Sequence, residues 1–531
     1  MLILLQLLNF FSLFFQIKLI KFYQKMDNSD NLLRDEDSEN NSTVQMGRVT
    51  ETTLEKIEDL TEQKIPDSKK ISSFQTVFSI WNTMIGSSIV SIPYNVYYAG
   101  IIPTICIGLL YGFICYLTCS VVVRLGGKEE DFAVVVYNYF YYGFGKRAAK
   151  IGRILQITFN LMINIGATFI YFLIINQNLY PCLCLFFRIF NLDFDADDLT
   201  PHFDTFSIFY CALIVSCIAF PLTICREMSC LAKFNSFGIY FVSLLLIFVI
   251  YTGFSTLAKD SFKFEYKENT KESKERNLFL FGEKPGLLAG TLSIGLFCHS
   301  VILPLMKNNR RQENNQRDLF LGYVCVTLTY IIIGILGYIG FSGSDYSPEF
   351  KDNWFRFFDS DNYFILVLRI LNVIQLISIF PILFFVVRSQ LFATFFKSYQ
   401  KSGSCIPIII FSIFLLCLCI IVLYFCYDLL GVLIGYIGAG TALILIYTIA
   451  PVINMINYYI RHQPKSEIER IRAAKDELNI DIDVDQLIPL KPWKAFIFYI
   501  CMMLIIVLGI ITLILQIMPV NIFGIKIEKN E

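Results

Sequence analysis

The sequence is short of charge, of histidine, and of acidic residues inside its apolar stretches. Asp, Glu, Lys and Arg make up 17% of the 531 residues, and the two signs cancel at 44 each. So neutral a chain lacks the basic stripe that nucleic acid requires, and no nucleic-acid partner is expected. Its three histidines, His202, His299 and His462, are too few and too scattered for a membrane di-iron or haem centre. Neither a nucleophile beside a base nor a set of metal ligands can be read from the spacing, so an enzyme is not expected. Cysteine is plentiful at sixteen, but Cys106, Cys115, Cys119, Cys211, Cys217, Cys417 and Cys419 lie within apolar runs, where a thiol behaves as a small buried hydrophobe. Cys182 and Cys184 flank an expected non-cytosolic loop with no obvious partner and are read as structural.

What the chain has in excess is apolar surface: 55% of residues are hydrophobic and the mean hydropathy is +0.58, the balance of a polytopic membrane protein. A helix needs about 20 apolar residues to cross the hydrocarbon. By that measure eleven spans are expected: Phe74–Ala99, Ile101–Val123, Ile151–Leu179, Phe206–Cys225, Phe237–Phe254, Leu287–Met306, Leu319–Phe341, Tyr363–Val387, Ile406–Cys426, Leu429–Ile453 and Phe496–Met518. If the N-terminal tail is cytosolic, alternate short loops carry Arg124, Lys146, Arg147, Arg226, Lys307, Arg310, Arg311, Arg388 and Arg461, which satisfies the positive-inside rule. Opposite loops include the acidic NLDFDADDLT at 191–200. The stretch between Glu129 and Tyr142, which includes DFAVVVYNYFYY, reads as an interfacial amphipathic helix with an aromatic anchor.

The expected organisation is a tail over 1–70, a first repeat over 71–255, a distal loop over 256–286, a second repeat over 287–460, a cytosolic loop over 461–492, and a last span with a short luminal end over 493–531. Asp27 to Lys70 is polar and poor in aromatics, a disordered cytosolic tail in which the sequons at Asn40 and Asn41 go unused. The first 25 residues are apolar but lack a leading positive charge and a cleavage site. They read as an extra anchor or, preferably, as sequence upstream of a start at Met26, rather than as a cleaved signal peptide.

One apolar segment is unusually breakable. SIWNTMIGSSIVSIPY, at 79–94, packs Asn82, Thr83, Gly86, Ser87, Ser88, Ser91 and Pro93 into the middle of the first span. Hydrocarbon offers no hydrogen bonds, so irregular backbone survives there only where protein or a cavity supplies partners. Counting five spans per repeat, the counterpart is the sixth span, GLLAGTLSIGLFCHSVILPLMK, with Gly290, Gly295 and Pro304. Paired interruptions of this kind mark the binding site of inverted-repeat secondary transporters. The N–H groups that open the second half-helix suit a carboxylate, and freed carbonyls closing the first suit an ammonium group or a sodium ion. The segment therefore breaks to grip the backbone of an amino acid. Small residues also serve close helix packing, which is the better reading of Ser91.

The other intramembrane polar groups divide less cleanly. Asn160, Asn164 and Thr168 form one stripe on the third span, either interhelical glue or a substrate-lining face. On the eighth span Gln375 and Ser378 share a face, and Ser378 could complete a hard-cation site with Asn82 and broken-helix carbonyls. Arg369, near the far-side end of that span, reads first as snorkelling to the interface and second as lining a vestibule. His299 is either a proton-sensitive group at the site or a hydrogen-bonded core histidine. Since no span holds Asp or Glu away from its ends, coupling to protons through buried acids is disfavoured, and sodium coupling or facilitated exchange fits better. A buried carboxylate for a cationic substrate side chain is missing too, which argues against arginine as the main cargo.

The first span, TVFSIWNTMIGSSIVSIPY, together with the loop NNRRQENNQRDL at 308–319, RILNVIQLISIFP at 369–381 and GYIGAGTALILIY, resembles the amino acid/auxin permease family. Within that family it resembles specifically the lysosomal, arginine-sensing branch of the sodium-coupled neutral amino acid transporters, and the likeness covers most of residues 71–520. It implies an all-α, eleven-helix fold of the amino acid/polyamine/organocation (LeuT-like) type, a 5+5 inverted repeat plus one helix. It further implies amino-acid transport across a lysosomal, vacuolar or late endosomal membrane, with the plasma membrane as the other location, Na+ as coupling ion, lipid around the spans, and a cytosolic signalling complex engaged through the tail. By position Asn82 matches the sodium-site asparagine of the first helix, and Ser378 the eighth-helix hydroxyl that helps bind sodium. Thr83, Met84, Gly86 and Ser87 match the substrate-holding segment; Ser88 beside them, with Gly295 and His299 of the sixth span, completes the candidate substrate site on the reading of the breaks given above. The tail carries no clear match to the signalling members, and the last span has no histidine where relatives have one, which weighs against the sensor role more than against transport.

Overall fold

The structure is a computed structural model that describes residues 71–86, 88–127, 131–192, 194–224, 238–259, 263–265, 277–282, 284–341, 352–358, 362–395, 405–462 and 492–517. The expected tail, the apolar residues 1–25 and Ser87 lie outside the described residues. Two units separate by contact: Met1–Ser72 with Asn308–Arg311, and Ser73–Lys307 with Gln312–Glu531. In the first, Ile71 bridges Asn309 in parallel register, taking Asn308 O at 2.9 Å and giving its own carbonyl to Arg310 N at 2.8 Å.

The second unit is a helical bundle. Its elements are α1 (Ser73–Met84), α2 (Ser88–Ala99), α3 (Ile101–Gly126), α4 (Phe132–Arg188), α5 (Ile208–Thr223), α6 (Gly238–Lys259), α7 (Pro285–Gly295), α8 (Ile302–Lys307), α9 (Asn315–Phe341), α10 (Tyr363–Phe395), α11 (Ile406–Cys426), α12 (Leu430–Ile444), α13 (Ala450–Arg461) and α14 (Pro492–Ile517). A two-stranded parallel ribbon, β1 (Lys263–Glu265) and β2 (Asn277–Phe279), lies between α6 and α7, with Lys263 opposite Asn277.

Among the described residues, eight helices are each long and apolar enough to cross a membrane. The three other expected spans are the broken pair α1 and α2, the 16-residue α5, and the broken pair α7 and α8, so the eleven spans are all accounted for. Span 10 is one rod made of α12, a π turn at Leu445–Ile449, and α13. Lipid-facing surface stays apolar, with Phe113, Ile247, Phe414 and Leu504 more than half exposed.

Two expected boundaries move. The interfacial helix and the third span form a single 57-residue element, divided only at Gly145, whose φ of 82° and ψ of 177° leave the helical region. A left-handed φ at that corner suits a residue without Cβ. Asp131 caps its start by accepting Ala133 N at 2.9 Å. The third span also runs on to Arg188, past the expected Leu179. The added turns carry Tyr180 and Cys184, both buried against protein, and Tyr180 Oη donates to Asp195 O at 3.0 Å, so this stretch is held by the loop that follows it rather than by lipid.

The two faces of the bundle are distinct. At the proximal face span 1 begins; at the distal face it ends, at Ala99. The distal face is laced by backbone: Gly282 N and Lys284 N donate to the carbonyls of Ala99 and Tyr98 at 2.9 Å, and Ile102 N to Leu280 O at 3.0 Å. These bonds fasten the segment leading into span 6 to the end of span 1. The two halves of the expected site therefore enter the bundle side by side.

Candidate functional site

Span 1 is broken where its sequence predicts. α1 closes at Met84, with Ile85 N still donating to Trp81 O at 3.0 Å, and α2 opens at Ser88. Span 6 breaks in the same way. α7 ends at Gly295, Leu296 N donates to Leu292 O at 2.9 Å, and helix resumes only at Ile302.

A single side chain from span 7 joins the two breaks. Tyr330 Oη donates to the Met84 carbonyl at 2.8 Å and stands 3.4 Å from the Gly295 carbonyl. Both acceptors are carbonyls freed at the end of a first half-helix, the groups that a break leaves without intrahelical donors. The neighbouring residue anchors α1 as well, since Thr329 Oγ1 accepts Trp81 Nε1 at 3.1 Å. Gly86 occupies the other side of the gap. A Cβ built there would overlap the hydroxyl of Tyr171, which span 3 presents to the break, so any larger residue would have to displace that side chain.

The expected site residues are placed as follows. Met84 is buried, Gly86 half-buried and Ser88 buried, all at the break. Thr83 faces outward and turns its hydroxyl back onto Ser79 O at 2.6 Å. Asn82 is half-buried one turn before the gap. Ser378 is buried on span 8, donating to Gln375 O at 2.6 Å, and span 8 packs chiefly against span 3. Asn160 and Thr168 are buried, and their stripe is satisfied largely along its own helix, with Asn164 Nδ2 on Asn160 O at 2.6 Å and Thr168 Oγ1 on Asn164 O at 2.8 Å.

His299 lies within the break of span 6 but is drawn toward span 2. Thr118 Oγ1 shares a 3.0 Å hydrogen bond with His299 Nε2 and lies 2.9 Å from Ile114 O. The imidazole is fully buried and stacked on Phe297 at 5.5 Å. Beside it Cys298 Sγ meets Cys119 Sγ at 3.6 Å, and Tyr323 Oη donates to Leu296 O at 3.1 Å. Just above, Tyr447 reaches Ser293 Oγ at 3.0 Å from the π turn of span 10. Such turns widen a helix locally and are frequent at functional positions. Arg369 does not snorkel outward as expected: it is 2% exposed and donates to Phe355 O at 2.8 Å.

Sequence reading missed Tyr171, Tyr330 and Tyr447. Each is one of 29 tyrosines, and only its pairing with a carbonyl, a hydroxyl or a glycine far away in sequence distinguishes it.

Eleven spans with broken first and sixth members define a LeuT-like fold. The inward-facing structure of Mhp1 shares the fold, with a TM-score of 0.50 over 85% of this chain and 90% of that one at 11% identity. Residues 69–478 match the family model for transmembrane amino acid transporter proteins, and the chain belongs to this family. It is 27% identical over 447 residues to neutral amino acid transporter 9 of Xenopus tropicalis, covering 75% of this chain and 76% of the relative. It is 25% identical over 428 residues to the sodium-coupled neutral amino acid transporter 9 homolog of Caenorhabditis elegans, covering 72% and 68%. These findings bear out the resemblance drawn from the first span and the loop at 308–319.

Proposed function

We propose that this protein is a sodium-coupled carrier of neutral or cationic amino acids, working by alternating access about the two breaks, with its N-terminus in the cytosol and its home a lysosome-like membrane. The observation that carries the reading is Tyr330, which holds the freed carbonyls of Met84 and Gly295 to one hydroxyl and so keeps both breaks at one point. The positive end of α2 beyond Gly86, Ser87 and Ser88 receives the substrate carboxylate. The carbonyl ends of α1 and α7, from Thr83 and Met84 and from Gly295, receive its ammonium group, while His299 borders the pocket from the side of span 2. Sodium, as co-substrate, takes oxygens from Asn82, Ser378 and the broken backbone, a neutral donor set suited to a hard monovalent cation. The names of the relatives support neutral cargo and, for the worm protein, sodium coupling.

Uptake of labelled amino acids by protein reconstituted in liposomes, with and without a sodium gradient, tests the reading. Failure to move any standard amino acid rejects it. Asn82→Ala is expected to weaken the sodium dependence of uptake while leaving the protein folded; unchanged sodium dependence removes Asn82 from the ion site. Imaging a tagged copy beside a lysosomal marker tests the location.

A further inference from the structure

The loop between spans 7 and 8 carries a buried carboxylate that the transport site does not use. Asp352 stands at the distal face, just before the 3-10 turn Trp354–Phe357, yet is only 7% exposed. Its Oδ2 accepts Gly431 N at 3.1 Å, at the opening of α12 where a helix favours an anion. Its Oδ1 has no hydrogen-bond partner. Arg356 Nη1 lies 3.6 Å from that oxygen but 2.7 Å from Asp428 Oδ1, so one guanidinium serves two carboxylates and sits closer to the exposed one.

The next residue ties the loop to the opposite wall. Asn353 Nδ2 donates to Gln177 Oε1 at 2.8 Å and stands 3.4 Å from Asn178 Oδ1, both at the end of span 3. Two consecutive side chains thus pin the loop between spans 3 and 10. Around Asp352 the titratable and charged groups are Arg356 on its own turn, Asp428 ahead of span 10, and Tyr94 of span 1, which lies against Gly431 and is hydrogen-bonded to Tyr98. Span 3 contributes the neutral amides. Span 8 contributes Arg369, which donates to the carbonyl of Phe355, and span 5 contributes the ring of Phe248 against Trp354.

We propose that Asp352 is a proton-binding site through which the distal side works this loop as a latch, seated between spans 3 and 10 when the proton is bound and released from span 10 when it is lost. The inference does not depend on sodium coupling or on which amino acid is carried. Burial, against the opposing pull of Arg356 and the Gly431 N–H, holds the Asp352 carboxyl up at about 6. If the loop lifts and the carboxyl meets water, it returns to the ordinary range near 4. A proton is bound more tightly by the state with the higher pKa, so acid favours the seated loop. As pH rises through about 6 the preference is lost. The seated-to-released ratio then changes by up to roughly 100-fold across that window.

Hydrogen exchange of residues 352–358 in the full chain, held in nanodiscs from pH 4.5 to 7.5 and normalised to unstructured rates, tests the latch. Protection is expected to fall with a midpoint near 6 in the native protein. Asp352→Asn, which stays neutral, is expected to remain protected throughout. Arg356→Gln removes the charge that lowers the carboxyl and should move the midpoint up, whereas Asp428→Asn removes one that raises it and should move the midpoint down. These opposed shifts carry the test even if Asp352→Asn fails to fold. Protection that is flat in the native protein, or a midpoint indifferent to all three substitutions, overturns the proposal.

Discussion

A glycine and a tyrosine 85 residues apart in sequence set the shape of the first break. The hydroxyl of Tyr171 fills the place that a Cβ on Gly86 would take, while Tyr330 holds the carbonyl of Met84 from the other side at 2.8 Å. Packed interiors have no slack for an added methyl group, so Gly86→Ala must move the ring of Tyr171 or the backbone of the break. Uptake by Gly86→Ala is expected to fall about tenfold, an effective barrier increase near 1.4 kcal/mol. Adding Tyr171→Phe, which deletes the overlapping oxygen, is expected to restore part of it. A double-mutant cycle on initial uptake rates measures the coupling. Strictly additive effects would mean that the two residues do not share the space. Asn82, Gly86 and Ser88 could be named from the sequence because a polar cluster inside an apolar run is anomalous on its face. Tyr171 could not be, because its significance lies wholly in what it meets.

Among the elements, the helix crossings decide which parts of the bundle move together. Span 6 and span 10 touch backbone to backbone where Gly438 abuts the carbonyl of Gly290. Gly440, two residues further along the same helix, has open space where its Cβ would be. Gly438→Val is therefore expected to destabilise the bundle by about 1–3 kcal/mol or more, since the obstacle is a main-chain carbonyl that cannot rotate away. Gly440→Ala is expected to be neutral or slightly stabilising on helix propensity. Thermal unfolding in detergent compares the two, and equal melting temperatures would show that the crossing is not close. At this scale the sequence was informative for a specific reason. Lipid forces every span to declare itself as an apolar run and every interruption to be answered by protein, which made the eleven spans and both breaks legible. The exceptions are places where protein rather than lipid is the solvent: the last turns of span 3 around Tyr180 and Cys184, the π turn at Leu445–Ile449, and the buried loop at Asp352 and Asn353.

For the molecule as a whole, the question is how much of the chain a carrier needs. The family match begins at residue 69, and the bundle that holds both breaks, Ser73–Lys307 with Gln312–Glu531, is a unit distinct from Met1–Ser72 with Asn308–Arg311. Removing residues 1–70 stops short of Ile71, so its backbone bonds to Asn308 and Arg310 are kept. All contacts described for the broken helices, Tyr330, Tyr171 and the distal loop come from residues that remain. If the protein is a carrier, the truncated chain is expected to retain the uptake rate and sodium dependence of the full chain in liposomes. A receptor that binds amino acids but scarcely moves them predicts a different pair of results: negligible flux with or without the tail, and loss of any cytosolic partner when the tail goes. Measuring flux and partner capture on the same two proteins separates these cases. Uptake that disappears on truncation, from protein that still melts cooperatively, would place part of the transport machinery in residues 1–70 and overturn the assignment of the site to the two breaks alone.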